Sequence, residues 1–324
     1  MPNKATSVAL PRGDLAGFLM ETPAQQNFIA DMILPTFSVP SKTGSFMRVP
    51  LEAILSRHDV KRAAGGNYNR SDHEMEEDTY SCKERGHEQS LDDGEAVMYA
   101  RQGNYDQVVS GRLRHILMVE REIRVVALVH NTTTFPLSGN TGHNASVEWD
   151  TEATCDPVGD VQTAINGIRA RGGAVNNLVL QVSYKAWFDL WRADSIKNNI
   201  RYVVGVEIPD HTNAAARAAM ARQLGVKDVI VGEAFYNSAL QGATPVIADA
   251  WSKEYAFLFN KPTGADIQEA ALGRTFAFDE DGGLFTVEEY RDEGRRSNVL
   301  RVRQHVDEKI LNANCGYLIG NVHT

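Results

Sequence analysis

Residues 57–95 restrict the fold of this chain more than any other segment, because they are polar and charged and offer few side chains for a core. Such a segment cannot bury enough apolar surface to offset the entropy lost on folding. We expect a long two-stranded excursion, with TYSCKE (79–84) as one of its strands. Two strands alone are marginally stable in water, so the excursion requires another surface to hold it.

Within this segment, residues 71–93 have the composition of a metal site, SDHEMEEDTYSCKERGHEQSLDD. His73 and His87 are each followed by glutamate, but both lack the second histidine of the zinc motif H-E-x-x-H. Cys82 has no C-x-x-C partner. The sequence therefore favours a solvated charged loop without metal. A metal-dependent hydrolase that uses His73, Cys82 and His87 is the alternative.

Other catalytic motifs are missing from the sequence. It contains no G-x-x-x-x-G-K-[ST] phosphate loop, no G-x-G-x-x-G after a strand and no G-x-S-x-G nucleophile elbow. Cys155 is the least implausible nucleophile, because it precedes a helix start, where the pKa of a thiol falls. A small residue at a domain junction is the favoured interpretation of Cys155. We expect a protein that is not an enzyme and has no catalytic residue and no cofactor.

The first 45 residues have the composition of an arm. Six of the eleven prolines lie in the first fifty residues, and the segment 32–50 contains no acid. Proline removes a backbone donor and pushes the preceding residue toward extended conformations. We expect a short helix near Ala24–Met32 and an arm that lies along another surface. A disordered tail is the alternative.

Residues 98–130 predict one long amphipathic helix, because their apolar side chains repeat with helical spacing and no proline interrupts them. The apolar face is assigned to Val109, Leu113, Ile116, Leu117, Ile123 and Ala127. The opposite, charged face is assigned to Arg112, Arg114, Glu120, Arg121 and Arg124.

The second half of the chain alternates helices with strands. Asp156–Pro157 is a helix start, since aspartate caps free N–H groups and proline tolerates the first helical position; Gly172–Gly173 ends that helix. Helices are also predicted at 184–194 and 212–225, and strands at 177–183, 202–208, 226–232, 251–259, 275–278, 284–287, 299–306 and 317–322. The turn DEDGG (279–283) is typical of a hairpin and lacks the ligand spacing of a calcium loop.

The bulk composition is that of a soluble globular protein. The chain has 324 residues, a formal net charge of −9 and three scattered cysteines. Net acidity argues against a protein that grips phosphate with a basic face, and three cysteines do not form a disulfide framework. No apolar run reaches the roughly 18–20 residues of a membrane helix, and the N-terminus lacks a signal-peptide core. We expect a protein made in the cytoplasm and not bound to membranes.

The order of these parts resembles the major capsid proteins (major head proteins) of tailed bacteriophages, whose fold is shared with encapsulins. The resemblance is carried by ILMVEREIRVVALVHNTTTFP (116–136) and by the segments 148–190 and 284–322. In this family a tryptophan, an Asp-Pro helix start, a Leu-Val-Leu strand and a Trp-containing helix follow one another. The matching positions here are Trp149, Asp156–Pro157, Asn177–Leu180 and Ala186–Leu190. Residues 1–94 match the family in character only.

The resemblance implies an α+β chain with the phage capsid fold in four parts. These parts are an N-terminal arm (1–45), an extended loop (46–94), a peripheral domain with a long spine helix (95–156 and 276–308) and an axial domain (157–275 and 309–324).

The resemblance also implies a structural protein of the virion that assembles itself into hexamers and pentamers of an icosahedral head around double-stranded DNA, without sequence-specific contacts. Its further partners would be a separate scaffolding protein, a portal and decoration proteins, with assembly in the host bacterial cytoplasm. An encapsulin-like nanocompartment shell is the alternative. Charged loop residues are expected to set the register between subunits. They are Arg57, Lys61, Arg62, Glu76, Glu77, Lys83, Arg85 and Glu88.

Overall fold

The computed structural model describes residues 10–11, 27–62, 64–72, 75–99, 105–198, 214–240, 242–264, 269, 271–279 and 284–323. Its helices are α1 (Ala30–Ile33), α2 (Leu51–Leu55), α3 (Asp93–Tyr99), α4 (Tyr105–Val129), α5 (Pro157–Ala170), α6 (Tyr184–Arg192) and α7 (Ala214–Leu224), with a 3-10 turn at Ala313–Cys315. Its strands are β1 (Leu10–Pro11), β2 (Thr36–Val39), β3 (Thr43–Arg48), β4 (Glu76–Ser81), β5 (Lys83–Asp92), β6 (Gly142–Asn144), β7 (Leu178–Ser183), β8 (Asp228–Gly232), β9 (Phe235–Asn237), β10 (Ile247–Asp249), β11 (Ala256–Asn260), β12 (Gly273–Phe278), β13 (Thr286–Asp292), β14 (Ser297–Ile310) and β15 (Gly316–Gly320). None of these helices is long and apolar enough to cross a membrane.

The first sheet is built around the long strand β14. One edge of β14 pairs antiparallel with β5, and the opposite edge pairs antiparallel with β13 and then with β12. Strand β2 adds parallel to β12, and β1 adds antiparallel to β13. Helix α4 packs on this sheet through Val109, Leu113 and Leu117, which meet Leu300 and Val302 of β14. The sheet therefore joins the start, the middle and the end of the chain.

The predicted hairpin at 279–283 is wrong. Ala277 pairs with Val306 and Thr286 pairs with Arg303, so β12 and β13 run in the same direction along one edge of β14. A turn-like composition was misleading here because strand β14, which follows β13 in the sequence, is the pairing partner of both strands. Residues 280–283 lie outside the described residues.

The second sheet has the strand order β6-β15-β11-β7-β8 and separates two hydrophobic clusters. Strand β7, which lies between β11 and β8, is buried along its full length. Leu178, Leu180 and Val182 face the cluster that holds α5, α6 and α7, whereas Val179 faces the end of α4. A continuous apolar run is what a strand covered on both sides requires, which confirms the prediction for 177–183.

The helix predicted at Asp156–Pro157 is confirmed. Asp156 accepts a hydrogen bond from the N–H of Gly159 at 3.0 Å, and Pro157 is the first helical residue. The helix ends at Ala170, and Gly172 follows with a φ of 76° that favours glycine. The strand predicted at 251–259 is shorter, since only β11 is extended. The strand predicted at 202–208 lies outside the described residues.

The long helix is confirmed over α4, but its predicted start and charged face need correction. Residues 98–99 belong to the separate helix α3, and 100–104 lie outside the described residues. Arg121, assigned to the solvent face, is fully buried. Arg124 pairs with Glu308 of β14 at 2.6 Å, and Glu308 is almost fully shielded from solvent. The helix is covered on more sides than its amphipathic pattern indicated, because the N-terminal segment also packs against it.

The part of the predicted arm that we call the arm root, residues 29–39, lies along other parts of the same chain. Ile29, Ile33 and Leu34 are buried in the same cluster as the end of α4, within their own subunit. Strand β2 then pairs with β12. The predicted helix near 24–32 is displaced to α1. The segment before residue 27, apart from β1, lies outside the described residues.

Candidate assembly surface

The polar excursion divides into two parts. We call β3, β4 and β5 the base and residues 49–75 the tip. In the base, β3 and β4 pair antiparallel from Thr43 opposite Ser81 to Arg48 opposite Glu76. The expected pair of strands therefore exists, but only β4 comes from the predicted segment 57–95; its partner β3 precedes that segment, and β5 continues onto the first sheet.

An aromatic cluster holds the base against the first sheet. Phe276 of β12 is fully buried. Tyr80 stacks on it with ring centroids 4.9 Å apart, and Phe46 packs on it at 5.5 Å. Stacked and tilted aromatic rings contribute beyond the area that they bury. The sequence predicted that a two-stranded excursion needs another surface to hold it. The first sheet of the same chain supplies that surface through Phe276.

Polar contacts add to this attachment. The N–H of Ser81 donates to Asp307 Oδ2 at 2.9 Å, and the Lys309 ammonium pairs with Asp78. Although partial burial acts to raise it, the pKa of Asp78 is lowered by the hydrogen bond and charge of Lys309. Both partners on β14 lie within five residues of its end, so this end of the strand fixes β4.

The strand predicted at 79–84 is split at Cys82, because β4 ends at Ser81 and β5 begins at Lys83. Strand β5 pairs with β14 over ten residues, from Ser297 opposite Asp92 to Val306 opposite Lys83. Strand β5 is therefore an added edge of the first sheet, whereas β3 and β4 form a separate two-stranded sheet.

A ladder of charges runs from this added edge across β14 to β13. Arg301 lies 3.1 Å from Glu88 of β5 and 3.6 Å from Glu288 of β13. Arg303 binds the same Glu288 at 2.8 Å. Tyr290 donates its hydroxyl to Glu88 at 3.1 Å. These contacts tie three neighbouring strands together within one subunit.

The eight charged residues predicted at subunit contacts fall into different environments. Glu76 pairs with Arg48 at 2.6 Å and Glu88 with Arg301, both within the chain. Arg62 donates to the carbonyl of Gly66 at 2.6 Å, and Arg85 is half-buried. The other four are exposed and form no ion pair inside the described part of the chain: Arg57, Lys61, Glu77 and Lys83.

The tip carries a set of apolar side chains that the charge-based prediction missed. Large exposed apolar residues follow one another from the end of the base through the tip: Met47, Val49, Ile54, Leu55, Val60, Tyr68 and Met75. Val60 is 91% exposed and Tyr68 is 73% exposed. Single exposed apolar residues are common on protein surfaces, but several on one projecting segment indicate a contact surface. In the sequence, these residues could be recognised only as single apolar residues within a polar segment.

The structure separates the residues of the alternative metal site. Cys82 is buried, and its thiol donates to the carbonyl of Phe276 at 3.5 Å. Burial, with the nearby Asp307 carboxylate, raises the pKa of this thiol to about 11. His87 is exposed and lies five residues further on, roughly 15 Å along extended backbone. His73 lies outside the described residues, and among those described no group of three or more His, Cys, Asp or Glu is arranged to hold a metal.

The environment of Cys155 does not activate a thiol. Cys155 precedes the cap of α5, but its side chain is buried and points at the carbonyl of Glu152, 3.8 Å away. Burial raises the pKa of Cys155, and the carboxylates of Asp156 and Asp160 act in the same direction. The lowering expected from the helix start is outweighed, which favours the packing role.

Comparison with solved structures identifies the fold. A phage-related protein from Bordetella bronchiseptica matches with a TM-score of 0.70 and 19% identity over 97% of this chain and 98% of its own. The capsid structure of the cyanophage P-SCSP1u matches with a TM-score of 0.56 and 12% identity over 99% and 92%. A virus-like particle from Pyrococcus furiosus matches with a TM-score of 0.51 and 11% identity over 95% and 98%.

No protein-family model and no curated protein matches the sequence. At these identities the likeness to solved structures establishes the fold, over nearly the full length of both chains. Both sheets, the long helix and the added strand β5 are part of the matched length. The chain therefore has the α+β fold of phage capsid proteins, as the sequence predicted.

Proposed function

We propose that this chain is a major capsid protein that assembles itself into hexamers and pentamers of an icosahedral head enclosing double-stranded DNA. The observation that carries this proposal is the match to phage capsid structures over nearly the full length of both chains. The role is structural, and the site of action is the virion.

The proposal assigns the four predicted parts to the subunit. Residues 1–45 form the arm and 46–94 the extended loop. Residues 95–156 with 276–308 form the peripheral domain, and 157–275 with 309–324 form the axial domain. Support comes from the two sheets, since β12 to β14 lie in one sheet and β7, β8, β11 and β15 in the other.

We further propose that the tip contacts a neighbouring subunit. Its exposed apolar side chains would lose their contact with water in the assembly, at roughly 25 cal/mol for each Å² covered. The exposed charges Arg57, Lys61, Glu77 and Lys83 would set the register of this contact. Glu76 and Glu88 would instead stabilise the base, because their partners lie in the same chain.

The same proposal places scaffolding, portal and decoration proteins among the partners, with assembly in the host bacterial cytoplasm. The net charge of −9 would keep packaged DNA from adhering to the wall. Strong, salt-sensitive binding of the purified chain to duplex DNA would contradict this point.

The test is to express the chain alone and then with its neighbouring genes, and to examine the product by size exclusion and negative-stain electron microscopy. Rings of five or six, sheets, tubes or closed shells are the expected result. A small monomer under all conditions would reject the proposal. Shells that co-purify with a cargo enzyme encoded next to this gene, and no DNA, would instead assign the encapsulin-like function.

A further inference from the structure

The buried carboxylate of Glu122 joins three separate parts of the chain. Its Oε1 accepts a hydrogen bond from the backbone N–H of Ala30 at 2.6 Å. Its Oε2 accepts one from the indole N–H of Trp251 at 2.7 Å. Glu122 itself lies on α4 and is fully buried. One side chain therefore binds the arm root, the long helix and the segment that leads into β11.

The contact with Ala30 replaces a missing helix cap. Helix α1 begins after Ile29, whose side chain makes no capping hydrogen bond. The first N–H groups of a helix need an acceptor, and a carboxylate is favoured there by the helix dipole. Glu122 supplies that acceptor from 92 residues away in the sequence. The position of α1 is thus determined by a residue of α4.

The adjacent residue, Arg121, also binds the arm root. Its Nη2 donates to Asp31 at 2.6 Å, to Thr36 at 3.3 Å and to Thr275 at 3.2 Å. The hydroxyl of Thr275 donates in turn to the carbonyl of Leu34 at 2.9 Å. Arg121 therefore connects α1, the start of β2 and β12.

We propose that Arg121 and Glu122 form a latch that fixes the arm root on the subunit and sets the point from which the N-terminal arm leaves it. Removal of the Glu122 side chain would strand two buried donors, the N–H of Ala30 and the indole N–H of Trp251. The reach of the arm toward another copy rests on the proposed function. The latch itself is a property of the single subunit.

The latch should respond to pH, because Glu122 would be rehydrated when the arm root leaves. Burial raises the pKa of Glu122 to about 7, and the N–H donors of Ala30 and Trp251 and the charge of Arg121 only partly offset this. The closed state binds a proton more tightly than the open state, so opening is favoured as the pH rises from 4.5 toward 7. The charged or titratable groups linked to Glu122 are Arg121, whose charge acts on it, Asp31, which pairs with Arg121, His130 directly after α4, which contacts Trp251, and Tyr255, which contacts His130.

Hydrogen exchange of the unassembled subunit, measured by mass spectrometry between pH 5 and 8 and corrected for the intrinsic rate, tests the latch. In the wild type, peptides covering the arm root should open up to about 70-fold more at pH 8 than at pH 5, because the pKa of Glu122 is about 7 in the closed state and 4.5 when exposed. Glu122→Gln leaves one N–H donor facing an amide N–H group, so the arm root should exchange about tenfold faster at pH 5 and lose its pH dependence. The exposed Glu120→Gln on the same helix is the matched control and should behave as the wild type.

Helix α5 reports on global folding, because it packs on the opposite side of the second sheet. If Glu122→Gln lowers the protection of α5 as well, Trp251→Phe is the second variant, since it removes one donor and keeps an aromatic ring. It should increase opening of the arm root at pH 8 and leave pH 5 unchanged. Arm-root exchange that is independent of pH in the wild type, or unchanged in both variants, overturns the latch.

The experiments can reject the latch and the proposed function independently of each other. A pH-dependent arm root in a chain that never forms shells keeps the latch and rejects the capsid function. Shells that form while Glu122→Gln and Trp251→Phe leave the arm root unchanged reject the latch alone.

Discussion

The arm root and the base differ from the tip in the contacts that the rest of the chain makes with them. The arm root and the base are held against their own chain, one against α4 and β12, the other against Phe276 and β14. The described residues of the tip lie outside the hydrophobic clusters and expose apolar side chains such as Val60 and Tyr68. Base and tip are similarly polar in sequence. An available strand edge of the first sheet, and not the composition of the segment, therefore determines which part of an extension is attached to the rest of the chain.

The largest effect on stability is expected from Phe276→Ala. This side chain is fully buried beneath Tyr80 and Phe46. Truncation of such a phenylalanine should lower the free energy of unfolding by about 3–5 kcal/mol. Chemical denaturation of the unassembled subunit measures it. Met47→Ala, at an exposed position of β3, is the control and should cost less than about 0.5 kcal/mol. Equal losses in both variants would mean that the base is not anchored by this cluster.

The second effect concerns pH and the attachment of the arm root. His130 is half-buried beside Trp251, and desolvation lowers its pKa to about 4, so its contribution to stability is complete above pH 6.5 and is lost as the pH falls toward 4. Glu122, with its pKa raised to about 7, acts in the opposite direction, and stability is lost as the pH rises from 4.5 to 7. Each contributes on the order of 3 kcal/mol, and the two nearly cancel between pH 4.5 and 6.5.

Separate variants should reveal the two slopes. In Glu122→Gln the free energy of unfolding should rise with pH across this window, because only His130 remains. In His130→Gln it should fall with pH, because only Glu122 remains. Denaturant titrations at several pH values measure both. Parallel slopes in the two variants would contradict the assignment.

A smaller effect is expected from Glu88→Gln. Its partner Arg301 is in the same subunit, and about half of the Glu88 side chain is exposed to solvent. The loss should be below about 1 kcal/mol, as for other exposed ion pairs, and assembly should continue. Glu77→Gln, for which the described residues provide no ion pair, is the control for stability. A subunit that stays folded but no longer assembles in Glu88→Gln would restore this residue to the subunit interface.

Local chemistry made the body of the fold predictable. Asp156 and Pro157 define a helix start by their own hydrogen bonding and geometry, and the run Leu178–Ser183 could be read as a strand because both of its faces are apolar. The likeness to capsid proteins was recognisable because several such local signals occur in a fixed order.

The remaining features depend on partners far away in the sequence. Glu122 is buried because Ala30 and Trp251 donate to it, 92 and 129 residues away. DEDGG does not form the predicted hairpin because β14 takes both flanking strands. The eight charged residues were predicted as one set, but only a structure could separate those paired within the chain from those left exposed. Periodicity carries no information about such long-range pairs.

The most direct test of the account compares the assembly of the wild type with that of Ile54→Ser/Leu55→Ser. Both side chains are exposed on α2 in the tip, so the change in the free energy of unfolding should be within about 0.5 kcal/mol. Val108→Ser, at an exposed apolar position of α4 outside the tip, is the control. By size exclusion and negative-stain microscopy we predict shells or rings for the wild type and the control, and folded, unassembled subunits for the tip variant. Normal shells from the tip variant would contradict the claim that the tip is the surface on which copies of this chain meet.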